Sequence, residues 1–354
     1  MPRYDFPFTF NEDSSNQTIG NLELDEPLPC NQEGSGFYRP GRITLQNNSS
    51  LDLVLYHNPA TTRFIYLRDC PPDKNLFKII GIDPTLADGR KIVTLPGQLC
   101  LGADRTRLIG DAMNEIFRSP SFSPIFGQFY QENMAVFPIV REGLKYQVTD
   151  AIFKNFGYYC DEIVLDAHHV FDSTVPVYNR SVEMTLFKDK DLDLKQKENI
   201  SVAFFADSIA SGLVMKEVIA RVRERFENLQ HVEVFAPLAT IRGLCRIAQT
   251  EMDPGCSIRV HVFETLLNAL PPDYYYSAHY GIPEFHIAPE LEAEYRNWWG
   301  KDVKGNEIAD TACAGYGWSE VFFNPRKQIE MMNGQLMPRH NMTIADLVAR
   351  NLKG

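Results

Sequence analysis

Residues 200–222, "ISVAFFADSIASGLVMKEVIARV", read as a strand, a short polar turn and a helix. Val202 to Ala206 form an unbroken apolar run, the pattern of a strand covered on both faces. Beyond the turn, Val214, Val218, Val222 and Phe226 recur at four-residue steps with Lys, Arg and Glu between them, which is helical spacing. A strand of this kind followed at once by a helix is half of a β-α-β unit. Its turn, "ADSIASG", is either the ordinary hinge of that unit, with a Ser capping the helix, or a place for a ligand.

The neighbouring segments repeat the pattern. Downstream come strand "VEVFAPL", helix "IRGLCRIAQT" and strand "IRVHVF"; upstream come "MAVFPIV", the helical "LKYQVTDAIFKNFG" with Gly157 at its stop, and "DEIVLDA". Strands alternating with helices predict an α/β fold, a parallel sheet with helices on both faces. Right-handed crossovers then gather the turns "REGL" (141–144), "DSIASG" (207–212) and "TIRG" (240–243) along one edge, where such sheets bind ligands. Residues 101–285 are assigned to this domain.

Residues 1–100 carry short β-type runs, among them "GRITLQ", "LDLVLYH", "TRFIYLRD", "LFKIIGI" and "KIVTL", with a hairpin expected around "HNPATT". They form a β-rich N-terminal region. Residues 170–198 end in the charge-dense "KDKDLDLKQKEN" and read as a solvated excursion. Residues 286–354 are rich in Gly, Pro and aromatic residues and read as a loop-rich extension that completes the site or a homodimer.

A formal charge of −11 over 354 residues argues against a nucleic-acid-binding face but not against a small anionic ligand. The first residues lack a signal-peptide core, and no run reaches membrane-spanning length. The seven cysteines are scattered without zinc spacing. A cytoplasmic protein with reduced thiols, no structural metal and no membrane contact is the expectation. His168 and His169 lie near a strand end, but neighbours on a strand point to opposite faces and do not share one metal. "YRNWWG" and "PDYYYSAHY" read as packing clusters.

Two turns carry the chemistry. In "DSIASG" the first N–H groups of the helix point outward at the positive end of its dipole, a place for phosphate. Ser211 adds a hydroxyl, Gly212 allows close approach, and Asp207 can accept from sugar hydroxyls. In "VREGLKY", Arg141 offers a fork of donors and Gly143 an unusual backbone angle.

Three segments in order, "PIVREGL" (138–144), "AFFADSIASG" (203–212) and "APLATIRGLCRIA" (236–248), resemble the type I phosphoribosyltransferases, and most closely the uracil phosphoribosyltransferases. The likeness spans residues 130–265, with a faint continuation in "ADTACAGYGWSE". It implies an enzyme that transfers a 5-phosphoribosyl group between pyrophosphate and a nucleobase such as uracil. It further implies Mg²⁺ as cofactor, phosphoribosyl pyrophosphate or a nucleotide as substrate, and a homodimer. On this resemblance Asp207, Ser208, Ala210, Ser211 and Gly212 hold ribose and 5′-phosphate. Arg141, Glu142 and Gly143 receive pyrophosphate, and Tyr316, Gly317, Trp318 and Ser319 recognise the base. Asp207, Arg141 and Glu142 would carry the reaction.

The sequence departs from the family in three places. Leu213 and Val214 replace a Gly and a hydroxyl residue of the phosphate loop, Ala206 replaces the first of two acidic residues, and Glu142 stands where the uracil enzymes have Ala. A carboxylate beside a polyanion costs about 1–4 kcal/mol unless a metal or proton intervenes. Two further readings follow from these changes. One is a nucleotide N-glycosyl hydrolase or related transferase that uses Glu142 in catalysis. The other is a catalytically silent nucleotide-binding regulator.

Overall fold

The computed structural model describes residues 3–11, 17–31, 34–66, 74–83, 85, 102–140, 142–171, 180–185, 199–250, 255–268, 282–308 and 325–353. The chain divides into two compact units, residues 1–58 with 113–285, and residues 59–112 with 286–354. This partition differs from the one read from the sequence. The break expected near residue 100 falls inside the second unit's first segment.

The first unit is built on one ten-stranded sheet. Its strands are β1 (Tyr4–Asn11), β2 (Gln17–Leu24), β3 (Leu28–Pro29), β4 (Phe37–Leu45), β5 (Ser50–His57), β6 (Met134–Pro138) and β7 (Asp161–Glu162). The chain then forms β8 (Asp166–Phe171) and β9 (Arg180–Thr185), a separate antiparallel ribbon, before β10 (Val202–Ala206), β11 (His231–Phe235) and β13 (Ser257–Phe263) complete the sheet; β12 (Ala239–Thr240), between β11 and β13 in the chain, lies outside it. The sheet order is β1-β2-β4-β5-β13-β11-β10-β6-β7, with β3 beside β4. From β5 to β7 every pairing is parallel; from β5 outward to β1 every pairing is antiparallel.

"LDLVLYH" is therefore a core strand of that sheet. Its Leu53, Val54, Leu55 and Tyr56 are buried, as a parallel strand with both faces covered requires. The β-rich N-terminal strands are an antiparallel continuation of the same sheet.

The helices are α1 (Pro59–Tyr66), α2 (Lys74–Ile80), α3 (Gly102–Phe117), α4 (Ser123–Gln128), α5 (Val148–Phe156), α6 (Leu213–Arg225), α7 (Ile241–Ala248), α8 (Pro289–Trp299), α9 (Pro325–His340) and α10 (Ile344–Lys353). Adjacent phenylalanines in β10 show that both faces of the sheet are covered. Phe204 stacks on Phe126 of α4, whereas Phe205 stacks on Phe137, which meets Phe226 at the end of α6.

Three secondary-structure expectations change. "ATTRFIY" is helix α1 rather than a hairpin arm, because Pro59 starts it and Thr61, Phe64 and Ile65 form one buried stripe. "LFKII" belongs to α2. Within 170–198, Arg180–Thr185 pairs with β8, its Ser181 and Glu183 exposed and Val182 and Met184 half-buried. "KIVTL" lies outside the described residues. Among the described cysteines, Cys30, Cys160, Cys245 and Cys256 are free thiols. No described helix is long and apolar enough to cross a membrane.

Candidate functional site

The order of the parallel strands singles out one place on the sheet. From β6 the chain runs to β7 on one side and then returns to β10 on the other. The crevice beyond the carboxyl ends of β6 and β10 is thus the point where strand order reverses, the usual ligand site of open α/β sheets. The turns carrying Glu142 and Asp207 leave the sheet there.

Close backbone approach locks these turns together. Ile139 N–H donates to the Ala206 carbonyl at 3.1 Å, and Gly143 N–H donates to Ile139 at 2.9 Å. A Cβ on Gly143 would overlap the Ala206 carbonyl oxygen and lie 2.9 Å from its carbon, so only glycine fits. The turn then places Glu142 and Tyr146 inward; Glu142 is 6% exposed and Tyr146 is fully buried.

Three oxygens converge here. The Tyr146 hydroxyl donates to Glu142 Oε1 at 2.6 Å, the Ser208 hydroxyl donates to the same oxygen at 2.8 Å, and the two hydroxyls are 2.8 Å apart. Two hydroxyl protons serve this triangle, and Glu142 is its acceptor corner, which suits a carboxylate. Next in line, Asp207 Oδ1 accepts from the Ser208 N–H at 2.9 Å. Burial pushes the Asp207 carboxyl well above the usual carboxylate range, and the Glu142 charge adds to that; the Ser208 N–H opposes it only partly. Asp207 therefore holds a proton to higher pH than an ordinary Asp. Burial also raises the Tyr146 phenol well above its usual value, with Glu142 and Asp207 reinforcing the effect. It remains a donor.

The rest of the 207–212 turn is organised differently. Ile209 N–H donates to Leu238, and Thr240 N–H donates back to Ile209, both at 2.9 Å. The Thr240 hydroxyl caps α7 by accepting from Gly243 N–H at 2.9 Å and donates to the Ala210 carbonyl. Gly212, at φ +74°, lies against Gly243, where side chains on either residue would collide with backbone. Ser211 is buried, its hydroxyl accepting from Leu213 N–H at 3.3 Å and its carbonyl held by the Arg246 guanidinium.

Of the residues expected from the sequence, the structure brings Glu142, Gly143, Asp207 and Ser208 together. Ala210, Ser211 and Gly212 pack against residues 240–246. Arg141, Tyr316, Gly317, Trp318 and Ser319 lie outside the described residues. Tyr146 was missed; its signal was the four-residue step from Glu142 along "EGLKY". Mg²⁺ would fit these oxygens only with Asp207 ionised, because a carboxyl that keeps its proton is a poor ligand.

A cavity of about 470 Å³ opens elsewhere, on the N-terminal strands, lined by Arg3, Arg42 and Arg259 among others. Each guanidinium there is already paired: Arg3 with Asp25 at 2.9 Å, Arg42 with Asp52 at 2.7 Å, and Arg259 with Glu233 at 2.9 Å. None of Glu142, Tyr146, Asp207 or Ser208 lines it.

No family model and no curated protein matches the chain. Among solved structures, adenine phosphoribosyl transferase from Trypanosoma brucei, in complex with AMP, pyrophosphate and ribose-5-phosphate, is similar at 13% identity and a TM-score of 0.33. That likeness covers 68% of this chain and 86% of that one. Hypoxanthine phosphoribosyltransferase from Staphylococcus aureus is similar at 10% identity and a TM-score of 0.30, over 52% of this chain and 90% of that one. A protein from Neisseria gonorrhoeae with bound ppGpp gives 10% and 0.29, over 46% and 81%. Likeness this low assigns neither activity nor substrate, and the chemistry has to be read from the site.

Proposed function

We propose that the protein is a glycosyl-transfer enzyme acting on the N-glycosidic bond of a nucleoside 5′-phosphate, with water as the acceptor. One observation supports this reading: at the switch point Ser208 links two carboxyls, its hydroxyl donating to Glu142 Oε1 at 2.8 Å and its N–H to Asp207 Oδ1 at 2.9 Å, where burial and the Glu142 charge raise the Asp207 pKa. Cleavage at an anomeric carbon needs such a pair, an acid for the leaving group and a carboxylate for the cationic transition state. The C1′–N bond breaks as Asp207 gives its proton to the departing base nitrogen. Glu142 stabilises the ribosyl cation and takes the proton of the incoming water, whose oxygen bonds to C1′. Ser208 and Tyr146 fix Glu142 in place, and Asp207, acting as the acid, is not a ligand for Mg²⁺ in this step.

Transfer to or from pyrophosphate, the activity implied by the family resemblance, fits less well. The turn that would receive the polyanion presents the Glu142 carboxylate. A second reading, a silent nucleotide-binding regulator, draws support from Ser211, whose hydroxyl and carbonyl are both engaged within the protein.

Two reactions run in parallel separate the readings. The protein is incubated with phosphoribosyl pyrophosphate, Mg²⁺ and a panel of bases including uracil, following pyrophosphate, and with nucleoside monophosphates, following free base. Base release without pyrophosphate is the expected result, with Asp207→Asn lowering kcat by about 100-fold or more. Pyrophosphate release with no nucleotide hydrolysis would restore the phosphoribosyltransferase reading. Binding without turnover would select the regulator.

A further inference from the structure

The cavity on the N-terminal strands borders a row of charge that the strand registers set across the sheet. Glu233 on β11, Arg259 on β13, Asp52 on β5, Arg42 on β4 and Glu23 on β2 are successive cross-strand partners. The row runs from the interior toward solvent, the Glu233 side chain 3% exposed and that of Arg42 57%. Alternating signs oppose a slip of register. That purpose needs the row alone and leaves the cavity of about 470 Å³ beside it without a use.

Three residues lining the cavity hold hydrogen-bonding capacity that the fold does not consume. Arg42 meets Asp52 through Nε alone, and its two terminal nitrogens have no partner among the described residues. They form the fork that receives a carboxylate. Glu23, the cross-strand partner of Arg42, accepts one long bond from Asn21 at 3.4 Å and keeps its other carboxylate oxygen open to a cation. Tyr38 is 6% exposed, yet its hydroxyl has no hydrogen-bond partner among the described residues. Burial raises its phenol above the usual value, so it stays a donor at neutral pH. A buried hydroxyl facing a cavity without a partner calls for a ligand group.

Pro40 and Val54, paired across β4 and β5, give the cavity an apolar surface between these ends. Tyr38, Pro40 and Arg42 alternate onto one face of β4, and the outer two lie about 13 Å apart along the strand. An amino acid with an extended side chain covers that span together with the reach of the two lining side chains. We propose that the cavity binds a free α-amino acid whose side chain ends in a hydrogen-bonding group. The α-carboxylate sits on the Arg42 fork, the α-ammonium on Glu23, and the side chain runs over Pro40 and Val54 to the Tyr38 hydroxyl. A phosphate suits the cavity less, because Glu23, Asp25 and Asp52 all line it. The site shares no residue with Glu142 and Asp207 and is independent of the reaction there.

Calorimetric titration of the full chain with L-tyrosine and L-glutamine is the test. L-tyrosine is set against tyramine, 3-(4-hydroxyphenyl)propionate and L-phenylalanine, which lack the carboxylate, the ammonium and the terminal hydroxyl in turn. Each analogue should bind about tenfold or more weakly, the worth of one hydrogen bond or more. Tyr38→Phe should remove the preference for L-tyrosine over L-phenylalanine without lowering Tm, since that hydroxyl has no partner to lose. Glu23→Gln should weaken L-tyrosine about tenfold and leave 3-(4-hydroxyphenyl)propionate unchanged. Asp207→Asn should bind L-tyrosine as the wild type does. Binding of neither amino acid overturns the proposal, as does an analogue lacking either charge that binds as tightly, or a preference for the hydroxyl that survives in Tyr38→Phe. None of these outcomes bears on the Asp207 reading.

Discussion

Gly143→Ala tests the backbone contact on which the site depends. The new Cβ would overlap the Ala206 carbonyl oxygen by more than an ångström relative to ordinary contact, and would lie 2.9 Å from the Ala206 carbonyl carbon and 3.3 Å from that of Pro138. These neighbours are main chain at the ends of β10 and β6, so no side-chain rotation relieves the clash. Relief comes only from shifting the 142–146 turn, which also parts Glu142 from Ser208. The cost belongs at the upper end of overpacking, about 3 kcal/mol, or a fall in Tm of roughly 6–12 °C. Far-ultraviolet circular dichroism in urea is the appropriate measurement. Gly127→Ala is the control. That residue lies in α4 with nothing within 4 Å of the added carbon, and the change should stabilise by about 0.5–1 kcal/mol. If Gly143→Ala unfolds at the wild-type urea concentration, the two turns are not in contact and the site is misassembled.

Asp207→Asn should stabilise the protein at neutral pH while abolishing activity. The folded-state pKa of Asp207 lies above its unfolded value of about 3.8, so its contribution is fully present below that pH and is lost as pH rises toward the folded pKa. The variant's advantage in urea midpoint should be near zero at the acid end and grow with pH; a constant difference would refute the assignment. Glu142→Gln removes both the second cause of the shift and the base that takes the water proton, so base release should be lost, and the pH at which Asp207 costs stability, read from urea midpoints, should end at a lower value. Tyr146→Phe leaves Glu142 one donor short in a buried setting and should cost about 1.5–3 kcal/mol, seen as a lower urea midpoint. In the second unit, His340 Nδ1 lies 2.9 Å from Asp302, which also accepts from Lys304 and Asn306 N–H groups; these bonds hold its carboxyl below the usual range. That stabilisation is present above the unfolded pKa and lost as pH falls. Asp302→Asn should therefore lower Tm at pH 7 and have less effect in acid.

The parallel sheet was legible because β6 and β10 are unbroken apolar runs, which burial on both faces imposes. The same rule applied to "LDLVLYH" would have placed β5 in the core. Its neighbours misled: it joins antiparallel β4 on one side, and its parallel partner β13 lies some two hundred residues downstream. Helix α1 was hidden by Thr61, Thr62, Phe64, Ile65 and Tyr66, residues of high β-propensity whose 3.6-residue stripe prevailed once buried. At the site, each turn was visible alone. The hydrogen bond between Glu142 and Ser208 joins residues 66 apart, and no local pattern announces such a pair. Ser211 drew attention as a phosphate donor, yet its surroundings, Arg246 and Gly243, come from a helix whose docking the sequence does not specify.

Two carboxylates on this sheet show why Asp207 and not the more deeply buried Glu233 marks the site. Glu233 sits within β11, 2% exposed, and burial pushes its pKa up. His261 Nε2 at 2.6 Å and the Arg259 fork at 2.9 and 3.1 Å outweigh that, and its pKa ends below the usual value. Tyr56 and Ser121 extend the chain, with Tyr56 3.0 Å from His261 Nδ1. This is a saturated network that holds three strands in register and has no proton to offer. Asp207 meets the opposite surroundings: its charged neighbour is Glu142, and the one described hydrogen bond to its carboxyl comes from the Ser208 N–H. A carboxyl whose pKa is raised by burial and by a neighbouring carboxylate is kept at a loss of stability, and shifted carboxyls of this kind cluster at sites that move protons, which is the ground for proposing Asp207 as the acid. If that is right, placing a cation there should abolish the pairing: Ser208→Lys should bring the Asp207 pKa down, raise stability at neutral pH, and eliminate base release from nucleotides. Unchanged turnover in that variant would show that the proton on Asp207 takes no part.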